Sequence, residues 1–422
     1  MSTVVYWFRN DLRLEDNPGF KAAVEENTAV IPVYVLDESW LYKTQFGIKR
    51  MGNFRLNFLL ESLSELKENL KAIGSDLLVK VGNPLEQIPA IYQQYNCAGV
   101  YAQALVAYEE TTLQTALNHL IPCKFVWGHT LFHERDLPFR VIDTPGVFTE
   151  FRKAVEKTAK VRPVIKSPLN VKSPDNFGNE VPTPEKLGFE RPFYDERSVL
   201  NFAGGESQGL ERLNYYLWEK ELLCNYKQTR NGLIGGDYSS KFSPWLAHGC
   251  ISPRQIYWQV KKFEKYIKKN SSTYWLIFEL IWRDFFQFVA LQHGAKLYRR
   301  KGITGKEKIT WSTTKHFHLW ASGQTTEPFV DANMNELNRT GFMSNRGRQV
   351  VASYLIHRMR IDWRLGAAYF EKMLIDHDPA SNYGNWLYIA GVGNDPRGGR
   401  EFNIERQTQQ YDAEGNYVKL WA

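Results

Sequence analysis

The sequence predicts two domains of different class: an N-terminal α/β domain with a doubly wound parallel sheet, and a C-terminal all-helical domain. In the first 130 residues, short apolar runs alternate with helical patterns, as in parallel sheets with crossover helices. A proline-rich segment then breaks every periodic pattern, and after about residue 201 the apolar spacing is helical almost to the end. We therefore expect an α/β domain at 1–135, a linker at 136–200 and a helical domain at 201–422.

The predicted strands of the first domain are VVYWF (Val4–Phe8), AVIPVYVLD (Ala29–Asp37), DLLVKV, AGVYAQ and KFVWG. Helical patterns fill the intervals: after Asp16-Asn17-Pro18, from Arg50 to Ile73, from Pro84 and after Tyr108. Such sheets bind ligands at the carboxyl ends of their strands. The turn after the first strand reads RNDLRLEDN, and neither G-x-G-x-x-G nor a Walker A motif is present, which disfavours a dehydrogenase or a P-loop enzyme.

Composition narrows the class of protein. The chain has 422 residues, including 13 Trp, 22 Tyr and 25 Phe, and its formal net charge is +7. A mild basic excess permits a polyanionic partner without demanding one. The four cysteines form no C-x-x-C pair, which favours a reducing compartment. No signal-peptide pattern or membrane-length apolar stretch occurs, so we expect a cytoplasmic protein, with an organelle address left open.

The segment LIFELIWRDFFQF (Leu276–Phe288) mixes chemistries on one helical face. Glu279, Trp282 and Arg283 project together at helical spacing, opposite an aliphatic face. A solvated face rarely carries tryptophan, and a core rarely carries an unpaired acid or base. The pattern favours a cavity for a flat polar molecule; a partly exposed face with a Glu–Arg pair is the alternative.

Two more segments carry convergent polar groups. SNRGRQVVASYLIHRMRIDWRLG places Asn345, Arg348 and Gln349 on one helical face. A buried Arg348 needs an anion, and Asp376 in IDHDPASNYGNW is the right kind of partner. A purely structural ion pair is the alternative.

The segment GGDYSSKFSPWLAHGCISPR sets serines and a lysine before a helix with proline in its first turn. Hydroxyl groups and backbone N–H groups at a helix start favour an anion site; helix capping alone is the alternative. His129 and His133 lie four residues apart without an acidic or cysteine ligand, so we expect no metal site.

Six motifs in this order resemble one family: WFRNDLRLEDNP, SSKFSPWLAHGCISPRQ, ELIWRDFF, NRTGFMSNRGRQ, DWRLGAAYF and IDHDPASNYGNW. Together they cover nearly the whole chain and resemble the photolyase/cryptochrome flavoproteins, most closely the DASH cryptochrome branch. The resemblance implies an N-terminal antenna domain and a helical domain that binds a U-shaped FAD.

The resemblance also implies FAD contacts. They are Tyr226, Ser239, Ser240, Lys241, Phe242, Ser243, Trp282, Arg348, Asp376, Asp378 and Asn382. The serine segment would hold the phosphates and ribityl chain, and Asp376 and Asp378 would meet the ribityl chain and the polar edge of the flavin. Asn382 would lie near flavin N5, where an asparagine supports the reduced state.

Trp386, Trp363 and Trp311 match the electron-transfer tryptophans of the family, with Trp320 as an alternative outer member. Tryptophans that only fill the core are the alternative. Glu109 or Glu110 in AYEETT matches the glutamate that contacts a methenyltetrahydrofolate antenna.

For a flipped pyrimidine dimer, the implied contacts are Glu279, Trp282, Arg283, Asn345, Arg346, Gln349 and Tyr388, with Glu279, Asn345 and Asn382 as catalytic residues. Gln349 stands where duplex-acting dimer photolyases usually have methionine, and Tyr388 where they usually have a second tryptophan. The histidine of (6-4) photolyases is absent from this helix. Both substitutions match the DASH branch.

The predicted function is light-driven repair of cyclobutane pyrimidine dimers, preferring single-stranded DNA, by a monomer that uses reduced FAD. A blue-light receptor that signals through flavin photoreduction is the alternative. A light-independent flavin electron-transfer protein is a third interpretation.

Overall fold

The computed structural model describes residues 2–306 and 314–422. The N-terminal domain contains a five-stranded parallel sheet of order β3-β2-β1-β4-β5. Its strands are β1 Thr3–Phe8, β2 Ala29–Asp37, β3 Leu78–Gly82, β4 Gly99–Gln103 and β5 Cys123–Val126. All five predicted strands and the predicted parallel sheet are confirmed.

Alternate side chains of the central strand β1 enter two different cores. Val4, Tyr6 and Phe8 pack into one cluster, and Val5 and Trp7 into another. A strand buried on both faces reads as a continuous apolar run, because helices cover both sides of the sheet. This arrangement confirms the doubly wound class.

The helices follow in chain order. They are α1 Pro18–Glu26, α2 Asn53–Ala72, α3 Pro84–Gln94, α4 Tyr108–Leu120, α5 Phe148–Thr158, α6 Glu206–Asn214, α7 Tyr226–Thr229, α8 Ser243–His248, α9 Pro253–Tyr266, α10 Ser271–His293, α11 Phe317–Ala321, α12 Pro328–Thr340, α13 Asn345–Ser353, α14 Trp363–Met373, α15 Pro379–Ala390, α16 Ile404–Tyr411 and α17 Asn416–Trp421. Short 3-10 and π-helical turns connect several of them. Among the described residues, no helix has the length and apolarity needed to cross a membrane.

The predicted linker is not entirely irregular. Helix α5 lies inside residues 136–200, and its buried Phe148 and Phe151 contact Phe285 of α10. Pro138 and Pro145 precede α5, and the six prolines from Pro163 to Pro192 follow it, so the proline-rich part of the connection begins only after this helix. The segment therefore contributes a packed helix to the face of α10.

Buried carboxylates of the helical domain and the N-terminal domain join the two halves. The carboxylate of Asp284 accepts backbone N–H bonds from Leu131 and Phe132, both at 2.9 Å. Asp16 pairs with the Arg254 guanidinium, at 2.6 Å for the shorter bond, and both side chains are buried. Long-range pairs of this kind hold the domains at a fixed angle.

Candidate functional site

A cavity lies between α13, α14 and α15 in the helical domain. It is lined by Asn345, Arg348, Gln349, Ala352, Phe370, Leu374, Asp376, His377, Asp378, Ser381, Asn382, Asn385, Trp386 and Ile389. Its volume is about 100 Å³. With the side chains in these positions it accommodates only part of a large cofactor. The polar lining comes from α13, α15 and the loop before α15, and Phe370 and Trp386 supply aromatic rings.

A bidentate ion pair forms one wall of this cavity, called here the helical-domain cavity. The Arg348 guanidinium donates to both oxygens of Asp376, at 3.0 and 2.9 Å, and also to the carbonyl of Met343 at 2.9 Å. The Asp376 side chain is 2% exposed and that of Arg348 is 24% exposed. The predicted pairing of Arg348 with Asp376 is present in the structure, and it fixes a carboxylate at the cavity surface.

The amide of Asn382 is oriented by the helix beside it. Its Nδ2 donates to the carbonyl of Ala367 at 3.0 Å. This bond fixes the orientation of the amide and leaves Oδ1 as an acceptor for a ligand. Gly366, also on α14, has room for no side chain, because a Cβ there would collide with the Trp386 ring.

Asp378 is occupied by protein partners. Its carboxylate caps α15 through the N–H of Ser381 at 2.7 Å and accepts from Gln287 at 2.8 and 3.0 Å. The imidazole of His129 lies 3.6 Å away. His129 and Arg283 hold the pKa of Asp378 below its usual range against the effect of burial, which raises it. Asp378 therefore positions α15, and its expected contact with the ribityl chain or the flavin edge stays a prediction.

The serine segment is held by a residue that sequence reasoning missed. The Arg212 guanidinium donates to the carbonyls of Gly236 at 2.8 Å, Ser239 at 3.1 Å and Ser240 at 3.1 Å. Ser240 in turn bonds the buried phenol of Tyr226. Phe242 is buried, whereas Ser243 is exposed at the start of α8.

Lys241 does not present its ammonium at an open surface. It is buried, lies 3.2 Å above the ring of Tyr238 and faces Glu336. Burial lowers the pKa of Lys241 to about 6 and raises the pKa of Glu336 to about 7. The expected contact of Lys241 with a phosphate stays a prediction.

The face of α10 carries the predicted lesion residues. The Glu279 carboxylate pairs with the Arg230 guanidinium at 2.8 Å. Trp282 stacks on Phe148 with ring centroids 3.6 Å apart and meets the edge of Tyr388 at 5.9 Å. The structure thus brings Glu279, Trp282 and Tyr388 to one surface, as predicted. Sequence analysis did not identify Arg230 as a site residue. Its position four residues after the predicted FAD contact Tyr226 is the one feature of the sequence that could have indicated it.

Arg283 and Arg346, two of the predicted DNA contacts, have different surroundings. The guanidinium of Arg283 points away from Tyr388 and toward the N-terminal domain, where it donates to the carbonyl of His129 at 2.8 Å. Arg283 therefore contacts the N-terminal domain, and its expected contact with the lesion stays a prediction. Arg346 packs over Tyr411 at 4.8 Å and its Nε has no hydrogen-bond partner among the described residues. Asn345 and Gln349 line the helical-domain cavity.

The tryptophans separate into two groups. Trp386 contacts Phe370 at 5.1 Å and Trp320 at 6.2 Å, both edge to face. Trp320 is completely buried, and its role as an alternative outer member stays a prediction. Within the described part of the chain, Trp363 makes its ring contact with Tyr383 rather than with Trp386. Trp311 lies outside the described residues.

A second cavity of about 760 Å³ lies between the two domains. Glu109 and Glu110 of α4 both line this interdomain cavity. Glu109 is exposed and pairs with Arg50 at 2.6 Å. Glu110 lies deeper and accepts the backbone N–H of Ala107 at 2.9 Å. Burial raises the pKa of Glu110, and the nearby Arg9 opposes this effect.

Comparisons with known proteins identify the family of this chain. The family described as "FAD binding domain of DNA photolyase" matches residues 275–422, and the family "DNA photolyase" matches residues 4–172. A Gloeobacter violaceus protein named Cryptochrome DASH is 49% identical over 99% of this chain and 85% of its own length. The chain belongs to the photolyase/cryptochrome family, within its DASH cryptochrome branch.

Solved structures give the same result for the fold. A cryptochrome from Synechocystis sp. PCC6803 superimposes with a TM-score of 0.95 at 48% identity, covering 99% of this chain and 88% of that one. An archaeal photolyase from Sulfolobus tokodaii with two FAD molecules gives 0.79 at 28% identity, covering 100% and 90%. Both predicted domain classes are confirmed.

FAD is the cofactor that this family domain binds. The helical-domain cavity fits one edge of a flavin ring, which alternates N–H and C=O groups. Asp376, fixed by Arg348, is an acceptor for an N–H group, and Arg348 and Asn385 can donate to carbonyl oxygens. Asn382 supplies its amide oxygen to the same cavity. The donor set therefore suits a flavin.

Proposed function

We propose that this protein repairs cyclobutane pyrimidine dimers in DNA in a light-driven reaction and prefers single-stranded DNA. The observation that carries the proposal is the surface formed by Glu279, Trp282 and Tyr388, on the two helices α10 and α15. Asn382 of the helical-domain cavity lies on α15, and Asp376 lies in the loop just before this helix. Bound, reduced FAD would supply an electron on excitation by blue light.

Glu279 would bind the dimer through its carboxyl group. Burial raises its pKa, and Arg230 and the indole N–H of Trp275 oppose this effect. A carboxyl group with a raised pKa holds a proton more often near neutral pH. Protonated Glu279 would then donate a hydrogen bond to a pyrimidine carbonyl, where negative charge develops. Arg230 keeps the carboxyl group facing the surface.

The aromatic walls explain the preference for single strands. Taking a dimer out of duplex costs a few kcal/mol in lost pairing and stacking. Trp282 provides one full indole, but Tyr388 is smaller than the tryptophan of duplex-acting relatives, and its hydroxyl is held by Arg400 at 2.8 Å. Stacking on an aromatic ring contributes about 1–3 kcal/mol per base. The stacking energy lost at the smaller Tyr388 ring is therefore comparable to the free energy of taking the dimer out of duplex. A single strand avoids that cost.

The test compares repair of the same dimer-bearing oligonucleotide, single-stranded and annealed, at one salt concentration, since phosphate contacts depend on salt. We expect faster repair of the single strand. The double variant Gln349→Met, Tyr388→Trp should gain duplex repair, and Gln349→Asn is its matched control. Equal repair of both substrates by the wild-type protein would contradict the single-strand preference.

A blue-light receptor is the second candidate, and the aromatic contacts of Trp386 favour it. Trp386 lines the helical-domain cavity and contacts Trp320, whose ring lies 5.7 Å from that of Tyr369. Tyr369 is partly exposed. Rings in contact from a cavity to the surface suit electron transfer toward a bound flavin, whether for activation or for signalling.

We expect Trp386→Phe to block photoreduction of the flavin and to spare repair by enzyme that was reduced beforehand, because repair passes the electron to DNA. Absorption changes under blue light, with an external thiol as reductant, measure the first effect. Trp218→Phe, a tryptophan outside both cavities, is the control. Photoreduction of Trp386→Phe at the wild-type rate would remove this tryptophan from the pathway.

For the interdomain cavity we propose a methenyltetrahydrofolate antenna, held by Glu110 or Glu109. A carboxylate matches the adjacent amide and amine N–H groups of a pterin, and both glutamates line a volume large enough for one. We further propose that the protein is a monomer in the cytoplasm or another reducing compartment. Its four cysteines, all free, support the latter point.

A further inference from the structure

A row of aromatic rings continues beyond the lesion surface along α10. Trp275 stacks on Phe278 at 4.6 Å, Phe278 meets the edge of Phe148 at 5.1 Å, and Phe148 stacks on Trp282. Trp282 then contacts Tyr388. The row therefore runs without a gap from Trp275 to the two walls assigned to the dimer.

Two rings of this row, Trp275 and Phe278, are partly buried against the core, and Trp275 enters the proposed repair site only through the effect of its indole N–H on Glu279. Trp275 and Phe278 are partly exposed, at positions i and i+3 of α10, on the same face as Glu279 and Trp282. Trp275 and Trp282 are seven residues apart, so their Cα atoms lie roughly 10 Å apart along the helix. This places two partly exposed aromatic rings beside the dimer surface.

Two cationic side chains lie over the rings of Trp275 and Phe278. The ammonium of Lys227, an exposed side chain on α7, lies 4.7 Å above the ring of Trp275. The guanidinium of Arg152 on α5 lies 5.7 Å from the ring of Phe278. Aromatic rings interleaved with Lys and Arg are how proteins bind single strands: bases stack on the rings while the cations hold phosphates.

We propose that Trp275 and Phe278, with Lys227 and Arg152, form a subsite for the unpaired nucleotide next to the dimer in single-stranded DNA. A paired nucleotide is stacked within the duplex and cannot use the platform, so the subsite adds affinity only for unpaired DNA. This inference rests on the proposed function and deepens it. It supplies an attractive contact for single strands, separate from the reduced wall at Tyr388.

The experiment uses the flavin-loaded protein and two probes that differ only in flanking nucleotides. One is the bare thymine dimer dinucleotide, and the other is a single-stranded pentanucleotide with a central dimer. We expect Trp275→Ala to weaken binding of the pentanucleotide by about ten-fold or more and to weaken binding of the dinucleotide much less, because Trp275 reaches the dimer only through Glu279. Trp275→Phe should restore most of the loss, because it keeps a ring.

Two further variants and one probe separate stacking from charge. Lys227→Gln should lower the salt dependence of pentanucleotide binding by about one phosphate contact. Trp258→Ala, an exposed tryptophan outside the row, is the matched control and should bind both probes normally. An abasic nucleotide on one side of the dimer should reproduce the loss of Trp275→Ala, and the same change on the other side should not.

The outcomes separate this inference from the proposed function. If wild-type protein binds and repairs the dinucleotide but Trp275→Ala binds the pentanucleotide normally, the subsite is overturned and the function stands. Equal losses for both probes also overturn it, because Trp275 then acts on the dimer through Glu279. If the wild-type protein neither binds nor repairs either probe, the proposed function itself fails.

Discussion

The two cavities differ in where their walls come from along the chain. The helical-domain cavity is lined only by residues 345–389, from three consecutive helices. The interdomain cavity is lined by residues from Trp7 to Tyr383, drawn from both domains. His377 belongs to both linings, as a shared wall. The first cavity depends on local packing, whereas the second exists only when the domains are docked.

The difference also appears in the electrostatics of the walls. In the helical-domain cavity, one bidentate pair, Arg348 with Asp376, supplies the fixed charge. In the interdomain cavity, Arg50 bridges Glu109 of the first domain and Glu371 of the second, at 2.6 and 2.7 Å. A site on one packed unit is preorganised, so its ligand does not have to order the domains.

The largest expected effect comes from breaking the pair in the helical-domain cavity. Asp376→Asn removes the anion and leaves Arg348 without its charge partner. Breaking a buried pair costs roughly 3–5 kcal/mol, and we expect about 3 kcal/mol because the Arg348 side chain is 24% exposed. The measurement is flavin released per protein after denaturation, which should fall to near zero.

Asp195→Asn is the matched control for that variant. Asp195 also forms a two-bond pair, with Arg197 at 2.9 and 2.6 Å, but it lines neither cavity. We expect full flavin content in the control. Equal flavin loss in both variants would mean that general stability, and not the cavity, decides retention.

The second effect concerns the junction that docks the domains, and it depends on pH. Burial lowers the pKa of His129 to about 4, helped by Arg283 and opposed by Asp378. His129 therefore becomes protonated near pH 6.5 in the unfolded chain but only near pH 4 in the folded chain. The free energy of unfolding falls as the pH drops from 6.5 to 4, because the unfolded chain binds more protons there. From pH 7 to pH 5 the loss is about 2 kcal/mol.

His129→Gln should remove this contribution, because glutamine does not titrate. The test is the difference in urea unfolding free energy between pH 7 and pH 5, compared with wild type. His119→Gln, on an exposed histidine of α4, is the control and should keep the wild-type slope. An unchanged slope in His129→Gln would show that His129 is already charged in the folded protein.

The smallest effect is expected in the interdomain cavity. Glu110→Gln keeps a carbonyl oxygen for the N–H of Ala107 but replaces charge-assisted bonds to the antenna by neutral ones, which are about half as strong. We expect roughly 1 kcal/mol, or about five-fold weaker antenna binding. The near-ultraviolet absorbance of purified protein and chromatography of the released chromophore measure it.

Glu109→Gln is the matched comparison, one residue away. Its carboxylate is 61% exposed and already pairs with Arg50, so we expect a weaker effect than in Glu110→Gln. Flavin content should be normal in both, because neither residue lines the helical-domain cavity. Unchanged antenna content in both variants would remove this segment from the antenna site.

The sequence predicted the fold class and the Arg348–Asp376 pair because each depends on local pattern. Strand runs, helical stripes and a required charge partner are visible in the chain itself. The sequence does not show those side-chain contacts that depend on residues far away along the chain. Nothing in ELIWRDFF indicates that Arg283 contacts His129, about 150 residues earlier. In the same way, nothing around Lys241 in the sequence indicates that Glu336 lies near it. The burial of Trp320 likewise depends on α14 packing beside it.

The junction at Asp284 bears on whether the two halves are interchangeable modules. Without the N-terminal domain, the amides of Leu131 and Phe132 and the carbonyl of His129 would be lost. Asp284 and Arg283, buried on one helix with Glu279 and Trp282, would then lack partners. Excising or swapping the N-terminal half would therefore disturb the helix that carries the DNA surface, so the chain is one inseparable unit despite its two fold classes.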